Sequence, residues 1–153
     1  MSDQDPKEFR TLRGFLDGEE PNEESYFAYS ATLRIFGNIS SLDEISSKLG
    51  LTPSNTHRKG EKSCEGAAPY RHDMWQFDAP VAPSEPLEHH IDALWLHIKP
   101  KVEYLRELKH TLSVDVFLGY RTNCDCAGFE IPHTSLELFS TLEIPFGVSV
   151  IIA

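Results

Sequence analysis

The chain of 153 residues has few cysteines, a shortage of positive charge and no long apolar run. Its three cysteines, Cys64, Cys124 and Cys126, are too few and odd in number for a disulfide framework, and such a set favours a reducing compartment. A single Cys64–Cys124 bridge in a secreted protein is the alternative. No window approaches the roughly 20 apolar residues needed to span a bilayer, so no membrane partner is expected. The opening residues, Met1 to Arg10, are acidic and polar, whereas a secretion signal starts basic and turns apolar. The expected location is therefore cytoplasmic. Fourteen Lys and Arg stand against 24 Asp and Glu, a formal charge of −10. Gripping a phosphate backbone needs a basic stripe, so nucleic acid is not an expected ligand. The same charge suits solubility and attraction to a basic protein.

The hydrophobic share of 40% is enough for a real core, and the length fits one domain. The charge is uneven along the chain. Residues 1–24 carry eight acids against Lys7, Arg10 and Arg13, residues 25–84 balance, and residues 85–153 again carry an acidic excess. The plain reading of such runs is a solvated surface. Residues 1–24 read as an acidic N-terminal extension with a short helix, and residues 25–153 as a single α+β domain. In the extension Asp5 caps, Pro6 suits the first helical position and Glu8 completes a capping-box spacing. Phe9, Leu12, Phe15 and Leu16 share one face, and Gly18 ends the helix. This helix is expected to pack on the domain, with docking on a partner as the alternative. The following link, with Asp17, Glu19, Glu20, Glu23 and Glu24, reads as exposed.

In the domain, Phe27, Tyr29, Ala31, Leu33 and Ile35 alternate with small or polar residues, a half-buried strand. Ser41 with Glu44 opens a helix, Leu42, Ile45 and Leu49 form its apolar stripe, and Gly50 stops it. A polar stretch follows, with a weak strand near residues 54–58 and a turn at Lys59-Gly60. Residues 71–77 read as a short strand with Asp73, Trp75 and Phe77 on one side. Leu87, Ile91, Leu94, Trp95 and Ile98 repeat at helical spacing and continue to Val102, Leu105 and Leu108. Pro100 removes a backbone donor and predicts a kink or a second helix. Strands follow over residues 112–120 and 146–152, separated by a loop and a short helix at Thr134–Leu142.

This order predicts an α+β fold. It is a largely antiparallel sheet with helices on one face, a ferredoxin-like sandwich with additions at both termini. The polar strand faces then present Ser30, Thr32, Arg34, Ser113, Asp115 and Ser149 on an open surface. If their strands are neighbours, Arg34 and Asp115 pair there. The expected core sets Ile91, Leu94, Trp95 and Ile98 against Val114, Val116 and Val148.

The motifs of chemistry are thin. Cys124-x-Cys126 does not give the four-ligand spacing of a structural zinc site. His90 and His97 lie on nearly one side of a helix but about 10 Å apart along its axis, and no H-E-x-x-H occurs. The sequence holds no G-x-S-x-G elbow, P-loop or G-x-G-x-x-G. No catalytic residue, metal ligand or cofactor is assigned. Arg58 and Lys59, beside the Lys59-Gly60 turn, form a weak anion-binding set that Glu61 and Glu65 partly cancel.

Several segments together resemble a bacterial family, domain of unknown function 4279. They are Ser30–Gly37, Leu42–Pro53, Lys59-Gly60-Glu61, the strand around Trp75, the helical segment Leu87–Leu108 with Pro100 inside, and Leu136–Ile152. The likeness covers roughly residues 27–152. It implies a single intracellular α+β domain and brings no catalytic residues.

The expected function is a non-enzymatic binding protein, in its sharpest form an immunity- or antitoxin-type inhibitor of a basic protein. The acids of the link, Asp17, Glu19, Glu20, Glu23 and Glu24, are the expected partner-binding set. A second cluster, Asp115, Asp125, Glu130 and Glu137, would have to be gathered by the fold. The competing class is a small-molecule- or metal-binding enzyme using Cys124, Cys126 and a histidine, or Arg58 and Lys59, at a pocket.

Overall fold

The computed structural model describes residues 26–124 and 128–153. The short helix and acidic link expected over residues 1–24, together with Asp125 and Cys126, lie outside the described residues. The elements run β1 (Phe27–Gly37), α1 (Leu42–Leu49), β2 (Asn55–His57), β3 (Asp73–Asp78), α2 (Leu87–Ile98), α3 (Val102–Leu108), β4 (Ser113–Thr122), α4 (Glu137–Leu142) and β5 (Phe146–Ile152). The strands form one sheet in the order β2-β3-β1-β4-β5.

The pairs formed among the first four strands, β2–β3, β3–β1 and β1–β4, are all antiparallel. With the β-α-β-β-α-β connectivity, that order is the ferredoxin-like arrangement. β5 is added beyond β4 and runs parallel to it, so the sheet is mixed rather than uniformly antiparallel. β1 is central because its alternation of apolar and polar residues is the longest. Tyr29, Ala31, Leu33 and Ile35 are buried, and the residues between them are not.

Local signals set the helix ends. The Ser41 hydroxyl accepts the Glu44 backbone N–H at 3.1 Å, satisfying one donor that the first turn of α1 leaves unpaired. Gly50 closes the helix at φ 66°, a left-handed conformation that glycine adopts without a steric cost. Lys99–Lys101 form a 3-10 turn around Pro100, and the α-helical pattern resumes at Val102. Proline thus divides the apolar stripe into two helices. A 3-10 turn, His133–Leu136, likewise precedes α4.

The core lies between one sheet face and the helices. Ile91, Leu94 and Ile98 of α2 and Leu105 of α3 are fully buried, as are Leu33, Trp75, Val116 and Leu118 of the sheet. Trp75 places its indole N–H 2.9 Å from the Ser46 hydroxyl, which joins α1 to β3. Two members of the expected core are corrected. Trp95 is only partly buried. Val148 points to the helix side but is 42% exposed. The physical reason is position, since β5 lies at the sheet edge beyond the cover that α2 and α3 give to β1 and β4.

Candidate functional site

Among the described residues no element covers the face of the sheet turned away from the helices. Register places Asn55, His57, Met74, Gln76, Asp78, Ala28, Ser30, Thr32, Arg34 and Phe36 on it, with the odd-numbered positions 113–121 of β4 and 147–151 of β5. None of these side chains is buried. A largely antiparallel sheet commonly packs one face on the core and leaves the other to solvent.

Arg34 sits at the centre of this face. It lies opposite Asp115 across β1 and β4 and opposite Gln76 across β1 and β3. Its guanidinium donates to both Asp115 carboxylate oxygens, at 2.7 and 2.6 Å. Such a fork-to-fork pair fixes the plane of the guanidinium as well as its charge. The hydrogen bonds to Asp115 hold the Arg34 pKa above its ordinary value. Its carbon centre lies 4.6 Å from the Phe117 ring centroid and 5.6 Å from that of Phe36, within cation–π range. The pairing expected from sequence is thus formed; Phe36, two residues along β1, shares its face by alternation, and Phe117 of β4 completes the cluster through strand pairing.

Two glycines keep the face low. A Cβ at Gly147 would press on the Phe117 ring at 3.2 Å, and one at Gly119 would collide with the Ser30 hydroxyl. At the rim of the face the Thr32 hydroxyl donates to Asp78 at 2.6 Å, and Asn55 bonds Gln76 at 3.3 Å. The arrangement is a shallow polar surface with a preorganised arginine between aromatic rings. It suits a broad macromolecular contact better than enclosure of a small molecule. Arginine and aromatic residues are the types that dominate protein–protein binding energy.

Tyr26, the residue after which β1 begins, donates its N–H to the Asn123 side chain at 3.0 Å, at the end of β4. Asp17, Glu19, Glu20, Glu23 and Glu24 lie outside the described residues, but their tether therefore starts from the central strand. Of the second acidic cluster, Asp125 lies outside the described residues, and Asp115 and Glu137 sit on different elements. Asp115 is held by Arg34 on the open face, whereas Glu137 belongs to α4 and pairs with Lys99 at 3.3 Å.

Arg58 and Lys59 come together around Asp73. The Arg58 guanidinium donates to the Ile39 carbonyl at 2.5 Å and lies 3.5 Å from Asp73. Asp73 also accepts the N–H of Lys59 at 2.8 Å and of Ile39 at 2.9 Å. These backbone donors, with Arg58 nearby, hold its pKa below the ordinary carboxylate value. The cluster ties the turn at Gly60 to the end of β1, and the Arg58 charge already faces a carboxylate. The sequence signal for this was a charged residue in phase with the buried Trp75.

The histidines do not converge. His89 pairs with Glu85 at 3.0 Å, His90 is buried with its ring nitrogen 3.2 Å from the Glu85 carbonyl, and His97 contacts the Ala93 carbonyl at 2.8 Å. Burial lowers the His90 pKa, and the nearby carbonyls of Glu85 and Ala82 oppose that shift. Cys64 and Cys124 are free thiols. Among the described residues no group of three or more His, Cys, Asp or Glu side chains could hold a metal ion. No helix among them is long and apolar enough to cross a membrane.

A separate groove of about 560 Å³ opens between α1 and α3, lined among others by Glu44, Lys48, Tyr104, Glu107 and His110. Burial and the charges of Glu44 and Glu107 raise the Tyr104 pKa. The sequence did not reveal this groove, because its two walls are separated by some fifty residues and meet only through packing.

No curated protein and no solved structure matches the chain. Residues 27–152, from the first residue of β1 to the last of β5, match the family described as Domain of unknown function (DUF4279), and the chain belongs to that family.

Proposed function

We propose that this chain is a non-enzymatic binding protein whose open sheet face docks a basic partner protein, in the manner of an immunity- or antitoxin-type inhibitor. The observation that carries the reading is the open face centred on Arg34, paired to Asp115 and flanked by Phe36 and Phe117. The occupant is argued from charge. The chain carries −10 overall, and its contiguous acids at positions 17–24 are tethered at the start of the central strand. Acids there would raise the encounter rate, and the face would then hold the partner.

The experiment uses the full chain and a basic protein encoded beside its gene. Neutralising Asp17, Glu19, Glu20, Glu23 and Glu24 to their amides should slow association at low salt and leave thermal stability nearly unchanged. Arg34→Met should instead speed dissociation, weakening binding by about 10- to 30-fold, the range of a moderate hot spot. Unchanged association by the five-fold variant would remove the link from the mechanism. Unchanged affinity of Arg34→Met would remove the face. The groove between α1 and α3 supports a second reading, a small-molecule site. A ligand screen in which Tyr104→Ala alone abolishes binding would favour it.

A further inference from the structure

The two edges of the sheet are not alike. β2 is short, three residues, and polar, which is how natural sheets blunt an edge. β5 is seven residues long, and residues 144–153 contain no charged side chain. Phe146 and Val148 are each 42% exposed, Val150 is 55% and Ile152 57%. All four point to the helix side, since they lie opposite Val116, Leu118, Tyr120 and Thr122 of β4.

The same four residues carry the outer backbone edge. Val116 donates its N–H to the Pro145 carbonyl, and Ala153 donates its N–H to Thr122. Odd-numbered residues of β5 therefore face β4. Successive peptide groups along a strand point to opposite edges, so Phe146, Val148, Val150 and Ile152 aim their N–H and C=O groups away from the sheet. No described residue pairs with that edge. A long, apolar, uncharged edge of this kind is a template for another strand.

We propose that β5 pairs antiparallel with β5 of a second copy of this chain about a two-fold axis through Ser149, giving a continuous ten-stranded sheet. Three observations select this occupant. The edge is self-complementary: with Ser149 opposite Ser149, Val148 meets Val150 and Phe146 meets Ile152, so apolar helix-side groups meet their like and every outward N–H faces a C=O. The strip is uncharged in a chain of −10, so it matches a neutral apolar strand and not a basic partner. A helix built from Phe9, Leu12, Phe15 and Leu16 would cover the side chains but leave the edge backbone unpaired. The two-fold also separates like charges. Tyr26 lies at the Ile152 end of the sheet, so the Tyr26 residues of the two copies fall at opposite ends, about 23 Å apart along a seven-residue strand and well beyond the roughly 8 Å screening length. The open faces of the two copies would join, and this inference is independent of what binds them.

The test is sedimentation of the full chain from about 1 to about 300 µM, a range that spans weak to moderate association. Wild type should shift from a mass of 17.3 kDa to twice that. Val150→Lys and, separately, Val150→Pro should keep it monomeric with native circular dichroism. The proline removes an N–H that faces the free edge and not β4. In a background with Cys64, Cys124 and Cys126 changed to serine, Ser149→Cys should form an interchain disulfide, because facing residues of a non-hydrogen-bonded pair lie about 4.5 Å apart. Gly147→Cys should not. A monomer throughout the range would overturn the proposal, whatever else covers the edge. So would a dimer that survives both Val150 variants, or one cross-linked by Gly147→Cys and not by Ser149→Cys.

Discussion

Removing the Arg34 guanidinium tests whether the open face holds a preorganised arginine or an ordinary solvated ion pair. The side chains of Arg34 and Asp115 are 24% and 15% exposed, so water reaches them but does not surround them. A fully exposed pair couples by only about 0.2–1 kcal/mol. Breaking a fully buried pair costs about 3–5 kcal/mol, because one charge is left stranded. Two aligned contacts at 2.7 and 2.6 Å in a half-covered site place this pair between those limits. The expected coupling is about 1–2 kcal/mol. Stacking of Arg34 on Phe117 adds about 0.5–1 kcal/mol to the cost of losing the arginine, but it cancels from the coupling itself.

The assay is a double-mutant cycle with Arg34→Met, Asp115→Ala and the double variant, each unfolded in urea at low and moderate salt. Methionine keeps much of the apolar stem, so the cycle reports the head group. A coupling near 1.5 kcal/mol corresponds to about 3–6 °C in melting temperature for a chain of this size. It should largely persist at moderate salt, because partly buried pairs are screened much less than exposed ones. A coupling below about 0.3 kcal/mol would refute the argument. Arg34 would then be a mobile surface residue with no fixed geometry to offer a partner.

Three further outcomes follow from the fold. Leu94→Ala, at a fully buried site on α2, should cost about 2–5 kcal/mol, whereas Leu96→Ala, at 75% exposure, should stay within about 0.5 kcal/mol. Urea midpoints at constant slope check this, and a loss below about 1 kcal/mol for Leu94→Ala would contradict the packing. Asp73 has a depressed folded pKa, so its contribution is present above the unfolded value near 3.9 and is lost as pH falls through the folded one. Asp73→Asn should therefore be destabilised against wild type at pH 7, with the difference narrowing in acid. A constant difference from pH 7 to pH 3 would contradict the assignment. His90 is buried with a lowered pKa, so below about pH 6.5 the unfolded chain binds a proton that the fold does not. Stability should fall with acid there, and His90→Gln should flatten that slope in urea titrations; an unchanged slope would assign it to another group.

Over the described residues the sequence by itself determined the helices and strands, their order along the chain and the two faces of the longer strands. Period-two alternation in Phe27–Ile35 and Leu112–Tyr120, and period-3.6 repeats in Leu87–Leu108, are local consequences of backbone geometry, so they survive without knowledge of neighbours. The caps at Ser41 and Gly50 and the break at Pro100 are equally local. The pairing of Arg34 with Asp115 could be anticipated only as a condition on strand order. Tertiary structure decided the rest. It set β5 parallel to β4 at an edge, which turned Val148 from an expected core residue into a half-exposed one. Alternation records which side of a strand a residue takes, not whether anything lies above it. It also brought Phe117 to Arg34, Arg58 and Lys59 to Asp73, and α1 to α3 around a groove. In each case the contact joins different elements of the chain, and only the register of the strands and the packing of the helices determine such distances.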